Sequence, residues 1–269
     1  MDFSEKLSKL KQQHLYRSRK TVGGAQDAQI VINGKSLVNF CSNDYLSLAN
    51  HVQVKQAFKQ GVDEYGAGSG ASHLVSGHSK AHHELEAALS DYTGQERALL
   101  FSTGYSANLG VFSALKDELD WILQDKLNHA SLIDGNQLTG LPLQRYLHND
   151  SASLEKKIAK QSGNGMIVTD TEFSMDGDQA NIDDLQKIGN FSNATLMQDD
   201  AHGFGVFEPN IPKNSIYMAT LGKAAGTMGA FVAGNADFIE FLIQKSRPYI
   251  YTTAIAPAIC VATLKSLEI

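Results

Sequence analysis

An α/β architecture, a mostly parallel sheet with helices on both faces, is what this 269-residue sequence predicts. Two observations carry the prediction. Short apolar runs of strand length recur at Arg97–Phe101, Trp121–Gln124, Gly165–Thr169, Thr195–Gln198, Ile216–Ala219 and Gly229–Ala233. Segments with apolar residues at helical spacing lie between many of them, which is the pattern of strands buried on both faces by crossover helices.

The elements follow in order. Phe3, Leu7, Leu10, His14 and Leu15 share a helical spacing, so a short amphipathic helix is expected over Phe3–Leu15. Gln29–Ile32 and Ser36–Phe40 flank Asn33-Gly34, a pair that accepts positive φ, and read as a hairpin. A helix is expected from about His51 to Tyr65, then a Gly/Ser/Ala loop over Gly66–Ser72. The next helix, Lys80–Tyr92, stops at Gly94, a C-cap residue. Further helices are expected over Ser106–Leu115, Ala130–Leu138 and Asp183–Ile188, and Ala256–Ile269 carries Ile259, Val261, Leu264 and Leu267 at helical spacing.

Composition is that of a globular chain, 42% hydrophobic and 19% charged, with a net charge of -6. This balance argues against a nucleic-acid or acidic-membrane surface, which would need clustered Lys and Arg. No apolar run approaches a membrane span, and the start of the chain has no signal-peptide core. Cys41 and Cys260 are the two cysteines, distant in sequence, so a reducing compartment and a soluble cytoplasmic protein are expected.

Chemistry-bearing residues gather just beyond strand ends, where open α/β sheets place their sites. Lys223 lies among small residues in Ala219-Thr220-Leu221-Gly222-Lys223-Ala224-Ala225-Gly226, a poor setting for a solvated charge and a good one for an imine with a carbonyl cofactor. Asp199 and His202 end an earlier strand in Asp199-Asp200-Ala201-His202-Gly203. A Schiff-base lysine with an acid for the pyridinium nitrogen is what pyridoxal 5′-phosphate (PLP) requires. A structural loop is the other reading of the Asp/His pair, and a metal site lacks a complementary ligand cluster. Ser102-Thr103-Gly104-Tyr105-Ser106-Ala107-Asn108 is either a phosphate seat at a helix N-terminus or an ordinary strand-to-helix turn. His129 could stack on a flat cofactor and serve substrate, or be a polar residue near a helix start. His82-His83-Glu84 reads as solvated helix surface, and Gly66–Ser72 as a linker or a loop passing close to a ligand or partner subunit. It is not a dinucleotide fingerprint, and neither a P-loop nor a G-x-S-x-G elbow occurs.

Taken together, Asn39-Phe40-Cys41-Ser42-Asn43-Asp44-Tyr45-Leu46, Gly68-Ser69-Gly70-Ala71-Ser72-His73, Ser102-Thr103-Gly104-Tyr105, Leu127-Asn128-His129-Ala130-Ser131-Leu132, Phe173-Ser174-Met175-Asp176-Gly177-Asp178, Asp199-Asp200-Ala201-His202-Gly203 and Thr220-Leu221-Gly222-Lys223 resemble the α-oxoamine synthases. These are PLP-dependent transferases of the aspartate-aminotransferase-like fold type I. The match is collinear from about residue 15 onward. The resemblance implies that Lys223 holds PLP and later moves a proton, that Asp199 pairs with the pyridinium and that His202 pairs with the phenolic oxygen. It further implies that His129 stacks on the ring and touches substrate, that Gly104, Tyr105 and Thr220 seat the cofactor, and that Ser174 lines its site. Arg17 resembles a substrate-binding arginine, and Thr252 and Thr253 would reach a neighbouring subunit's site in a homodimer. The forms around His129 and His202 look most like the branch that condenses L-alanine with pimeloyl-CoA or a pimeloyl carrier protein, a decarboxylative step of biotin biosynthesis. Sister enzymes use glycine or serine with another acyl-CoA, and a PLP-binding chain without turnover is a further alternative.

The expected organisation is an N-terminal helix and hairpin segment over residues 1–45, a PLP-binding large domain over 46–255, and over 256–269 the start of a linker helix to a smaller C-terminal domain, expected to be absent. Two local departures accompany it. The Phe207–Tyr217 connection is shorter than usual, and Ala224-Ala225-Gly226 stands where relatives often have Gly-Phe-Gly.

Overall fold

A computed structural model describes every residue, Met1–Ile269, as two compact units, Met1–Ser42 and Asn43–Ile269. The first holds helix α1 (Phe3–Gln12), capped by Asp2, whose carboxylate accepts from the Ser4 amide. It also holds the antiparallel hairpin β1 (Gln29–Ile32) and β2 (Lys35–Val38). Asn33 and Gly34 turn it with φ of 52° and 75°, the two positive values this tight connection demands.

The second unit is built on a seven-stranded sheet. Its strands are β3 (Arg97–Phe101), β4 (Trp121–Asp125), β5 (Gln144–Tyr146), β6 (Gly165–Asp170), β7 (Ala194–Asp199), β8 (Ile216–Thr220) and β9 (Ala230–Gly234). Their order across the sheet is β3-β9-β8-β7-β6-β4-β5. The run from β8 to β5 is parallel, while β9 is antiparallel to both β3 and β8. The helices are α2 (Val52–Tyr65), α3 (Lys80–Thr93), α4 (Gly104–Leu115), α5 (Ala130–Thr139), α6 (Ser151–Ile158), α7 (Ile182–Ser192), α8 (Ala236–Lys245), α9 (Arg247–Ile250) and α10 (Pro257–Leu267).

Alternation along each strand sends side chains to two separate cores. Leu99 and Phe101 join Val111 and Phe112 of α4, with Val168, Met197, Met218 and Val232. Ala98 and Leu100 point the other way, to Leu85 and Leu89 of α3, Phe231 and Cys260 of α10. A third cluster packs Trp121, Leu123 and Ile167 against Leu154 of α6 and Leu185 of α7. Both sheet faces are therefore dry, which is why the strands read as continuous apolar runs. Cys41 and Cys260 are both free, and no helix is long and apolar enough to cross a membrane.

The expected strands and helices stand, with ends shifted by at most four residues and with Gln29–Ile32 and Arg97–Phe101 unshifted. Four elements and one turn lie outside the sequence expectations. β5 is three residues long and partly polar, and α6 buries a single residue, Leu154. Helices α8 and α9 and a π-turn at His73–Gly77 complete the set. One expectation is corrected. His83 and Glu84 are exposed, but His82 is fully buried, not solvated surface. Its Nδ1 accepts from the Ser79 amide at 3.0 Å and its Nε2 donates to the Ile255 carbonyl at 2.8 Å, so both ring nitrogens are satisfied without water.

Candidate active site

The carboxyl ends of β4, β6, β7 and β8 and the N-termini of α4 and α5 surround a cavity of about 380 Å³. Gly104, Tyr105, His129, Ser174, Asp199, His202, Thr220 and Lys223 all line it, so eight of the side chains and turns expected from sequence converge. Arg17 is an exposed residue of the Met1–Ser42 unit. Thr252 and Thr253 follow α9, where Thr253 bridges to Ser72 and the Ala254 amide donates to Ala71, tying this segment to the end of the Gly66–Ser72 loop.

Lys223 leaves the sheet three residues beyond β8. Burial lowers its pKa below the ordinary lysine value, and the negative charges of Asp199 and Asp170 resist that shift. Its amine donates to Nε2 of His202 at 2.8 Å. Accepting there leaves the His202 proton on Nδ1, which donates to the Tyr45 hydroxyl at 2.6 Å. Burial, reinforced by the charge of the neighbouring Lys223, depresses the His202 pKa to about 4, so this imidazole is neutral.

Asp199 ends β7 and is 3% exposed. Asn108 of α4 donates to its Oδ2 at 2.7 Å, and the Ala201 amide donates to Oδ1 at 3.1 Å. The second amide hydrogen of Asn108 goes to the Ser131 hydroxyl at 2.8 Å, and that hydroxyl donates on to Nδ1 of His129 at 2.7 Å. One asparagine thus ties the acid to the imidazole. Burial nevertheless raises the Asp199 pKa above the carboxylate norm. Asp170, opposite Asp199 in the β6–β7 register, is pushed to about 8 by burial and by the charge of Asp199. Its Oδ2 accepts from the His129 amide at 2.7 Å, which fixes the start of α5 against the sheet.

At α4 the Thr103 hydroxyl accepts from the Ser106 amide at 3.0 Å, and the Thr103 carbonyl from Ala107. The Gly104 and Tyr105 amides in the same turn have no intrahelical acceptor and carry the positive end of a twelve-residue helix. The Tyr105 hydroxyl donates to Asp134, and its ring meets that of His129 edge to face with centroids 6.3 Å apart. The Thr220 hydroxyl donates to the Gly229 carbonyl at 3.0 Å, fixing the turn that presents Lys223.

These donors suit PLP. A buried acid with a raised pKa is stabilised as an anion by a pyridinium N–H. The free amides of Gly104 and Tyr105 suit a phosphate, and Lys223 can form an imine with an aldehyde. A flat, anionic aldehyde of this kind also fits the cavity volume, which falls in the roughly 300–1,000 Å³ range of small-molecule sites. Asn108, Asp170, Tyr45 and Ser131 complete the site and were not singled out by sequence. Asp170 had one available signal, an acid directly following an apolar strand.

Comparison with known proteins identifies the family and the fold. Residues 35–269 match the model of the family "Aminotransferase class I and II". A curated relative from Pseudomonas fluorescens, an 8-amino-7-oxononanoate synthase, is 50% identical over 279 residues, spanning 100% of this chain and 71% of its own length. Among solved structures, a serine palmitoyltransferase from S. paucimobilis with PLP and myriocin bound superposes with a TM-score of 0.89 at 26% identity, covering 99% of this chain and 70% of that one. An 8-amino-7-oxononanoate synthase from Francisella tularensis gives a TM-score of 0.72 at 34% identity, covering 85% and 68%.

Proposed function

Since the chain belongs to the class I and II aminotransferase family, in its 8-amino-7-oxononanoate synthase branch, we propose that it is a PLP-dependent acyltransferase that condenses L-alanine with a pimeloyl thioester. The reaction joins the alanine α-carbon to the thioester carbonyl carbon, expels the thiol (CoA or a carrier protein), and releases the alanine carboxyl group as CO2, leaving 8-amino-7-oxononanoate for biotin synthesis. The observation that carries the reading is the convergence of Lys223, Asp199 and the free amides of α4 on one cavity.

Bound there, PLP supplies an electron-poor ring that accepts the electron pair left when the amino acid loses its α-proton. The chain's residues do the rest. Asp199 provides the negative charge that holds a proton on the ring nitrogen, and Asn108 holds Asp199 in place. Gly104 and Tyr105 seat the phosphate, with Thr220 and Ser174 alongside. Lys223 anchors the aldehyde and, once released, removes the α-proton at Nζ and later returns one. Burial suits it to this by favouring the neutral amine. Neutral His202, fixed by Tyr45 at Nδ1, would face the ring's phenolic oxygen with Nε2. Ser131 holds Nδ1 of His129, leaving Nε2 as that ring's remaining polar atom for substrate. Arg17 is assigned to the acyl substrate, and Thr252 and Thr253 to the neighbouring subunit of a homodimer.

The test is a product assay with L-alanine, glycine and L-serine against pimeloyl, acetyl, succinyl and palmitoyl thioesters. Alanine with the pimeloyl thioester is expected to be preferred. Preference for glycine or serine with another acyl group would assign the chain to a sister synthase. Borohydride reduction followed by peptide mapping should place the cofactor on Lys223, and an adduct on any other residue would overturn the site.

A further inference from the structure

The wall of the cavity that holds Lys223 includes Phe173, Ser174, Met175 and Asp176 of the loop after β6, Phe173–Asp178. Few bonds within the loop hold it. The Phe173 amide donates to the Asp178 carbonyl at 3.0 Å, and the Asp176 and Gly177 amides to the Phe173 carbonyl at 3.2 and 2.7 Å. What anchors it from outside is the turn His148-Asn149 between β5 and α6, which does not line the cavity. His148 Nδ1 lies 2.9 Å from Asp125 Oδ1 and its Nε2 2.8 Å from Asp178 Oδ2. The ring also meets Phe173 edge to face, centroids 4.4 Å apart. Asn149, at φ 50°, donates its amide to Asp125 Oδ2 at 2.9 Å and its side chain to Asp178 Oδ2 at 2.7 Å.

The protonation of this ring follows from geometry. Asp125 is 1% exposed, and its oxygens also accept from the Leu127 and Asn149 amides. Asp178 accepts from Asn149. Both are acceptors only, so each ring nitrogen facing them must carry a hydrogen, and the imidazole is a cation between two anions. Asp176 is the third acid within reach, and the only ion pairs of Asp125 and Asp178 are with His148. Burial opposes the charge on the ring, the two carboxylates outweigh it, and the pKa is raised; that of Asp178 is lowered by the same contact.

We infer that His148 is a positioning residue, a cationic clasp that locks the Phe173–Asp178 loop, and with it Ser174 and Asp176, into the cavity wall. Its effect on turnover rests on the acyltransferase reading above, whereas its effect on the loop does not.

The experiment compares the cofactor-loaded protein with His148→Gln and Asp178→Asn. Hydrogen exchange of the 171–179 peptide, imidazole nitrogen NMR near neutral pH, and KM and kcat are the readouts. Both variants should lose about tenfold or more of the loop's protection while the rest of the sheet keeps its own. KM should rise about tenfold, with kcat changing less than about threefold, because the wall moves and the Lys223 side does not. The wild-type ring should show two protonated nitrogens. Unchanged loop protection in His148→Gln, one bare ring nitrogen in the wild type, or a stoichiometric divalent ion held by His148, Asp176 and Asp178 would overturn the clasp. A wild-type protein that carries PLP but makes no product would defeat the functional reading and leave the exchange result standing.

Discussion

Lys223 is useful as a base because its surroundings disagree about its charge. Burial favours the neutral amine, while Asp199 and Asp170 favour the ammonium. The balance depends on Asp199 remaining ionised, and so on Asn108. Replacing Asn108 by leucine, similar in bulk, removes the donor to Asp199 and the link to Ser131. Hydrogen bonds to a charged group contribute about 1.5–3 kcal/mol, so PLP affinity should fall about tenfold or more, measured by fluorescence or absorbance titration. The Asp199 pKa should rise further, and cofactor binding should weaken most on the acid side. A variant that binds as tightly as the parent would show that Asn108 is only packing. In the sequence, Lys223, Asp199 and His202 stand out because each follows an apolar strand. Asn108 and Tyr45 lie in motif-bearing runs but have no role until the fold joins them to partners 91 and 157 residues away along the chain.

The helices show how tightly the elements beneath the site are seated. Gly61 of α2 lies so close to α10 that a methyl group there would come within 2.7 Å of the Ala258 Cα. Gly61→Ala gains up to about 1 kcal/mol in helix propensity. It must also push two backbones apart, at about 1–3 kcal/mol. The variant should therefore be less stable in urea unfolding, with the slope unchanged; a more stable variant would mean that the α2–α10 contact yields freely. Strands were the most legible elements, since burial on both faces leaves an unmistakable apolar run, as in Gly165–Asp170 with every residue buried. Elements with a mixed face were not. β5 is Gln144-Arg145-Tyr146, and α6 rests on Leu154, so the His148-Asn149 turn between them was invisible, and with it the clasp. His82 was misread because a polar residue at a helix start looks solvated until Ser79 and Ile255 are seen to satisfy it.

At the scale of the molecule, buried titratable groups set how stability varies with pH. In the protein without cofactor, Asp170 is raised to about 8, and Glu86 and Glu172 to about 7, each mainly by burial. The folded state keeps these protons where the unfolded chain has released them, so each group lowers stability as pH rises from about 4 to its folded pKa. His73 and His202, depressed to about 3 and 4, act oppositely below about pH 6.5, where the unfolded chain takes up protons that the fold refuses. The two sets largely offset on the acid side. Above about pH 6.5 the carboxyls dominate, joined by His148, whose raised pKa makes its contribution fade as pH rises, while Lys223, lowered by burial, acts oppositely toward the alkaline side. Melting temperature should thus fall between about pH 6.5 and 8, and Asp170→Asn should flatten the fall. A flat or rising parent curve would contradict the burial of these carboxyls. The layout also bears on synthesis at the ribosome. Strand β9 lies between β3 and β8, with Gly234 paired to Arg97. The hydrophobic edge of β3 therefore emerges with no neighbour and waits on the order of ten seconds for the segment that covers it. Until then nascent chains can stick to one another, so yield in cells should depend on translation speed and on chaperones more than the finished molecule's stability would suggest.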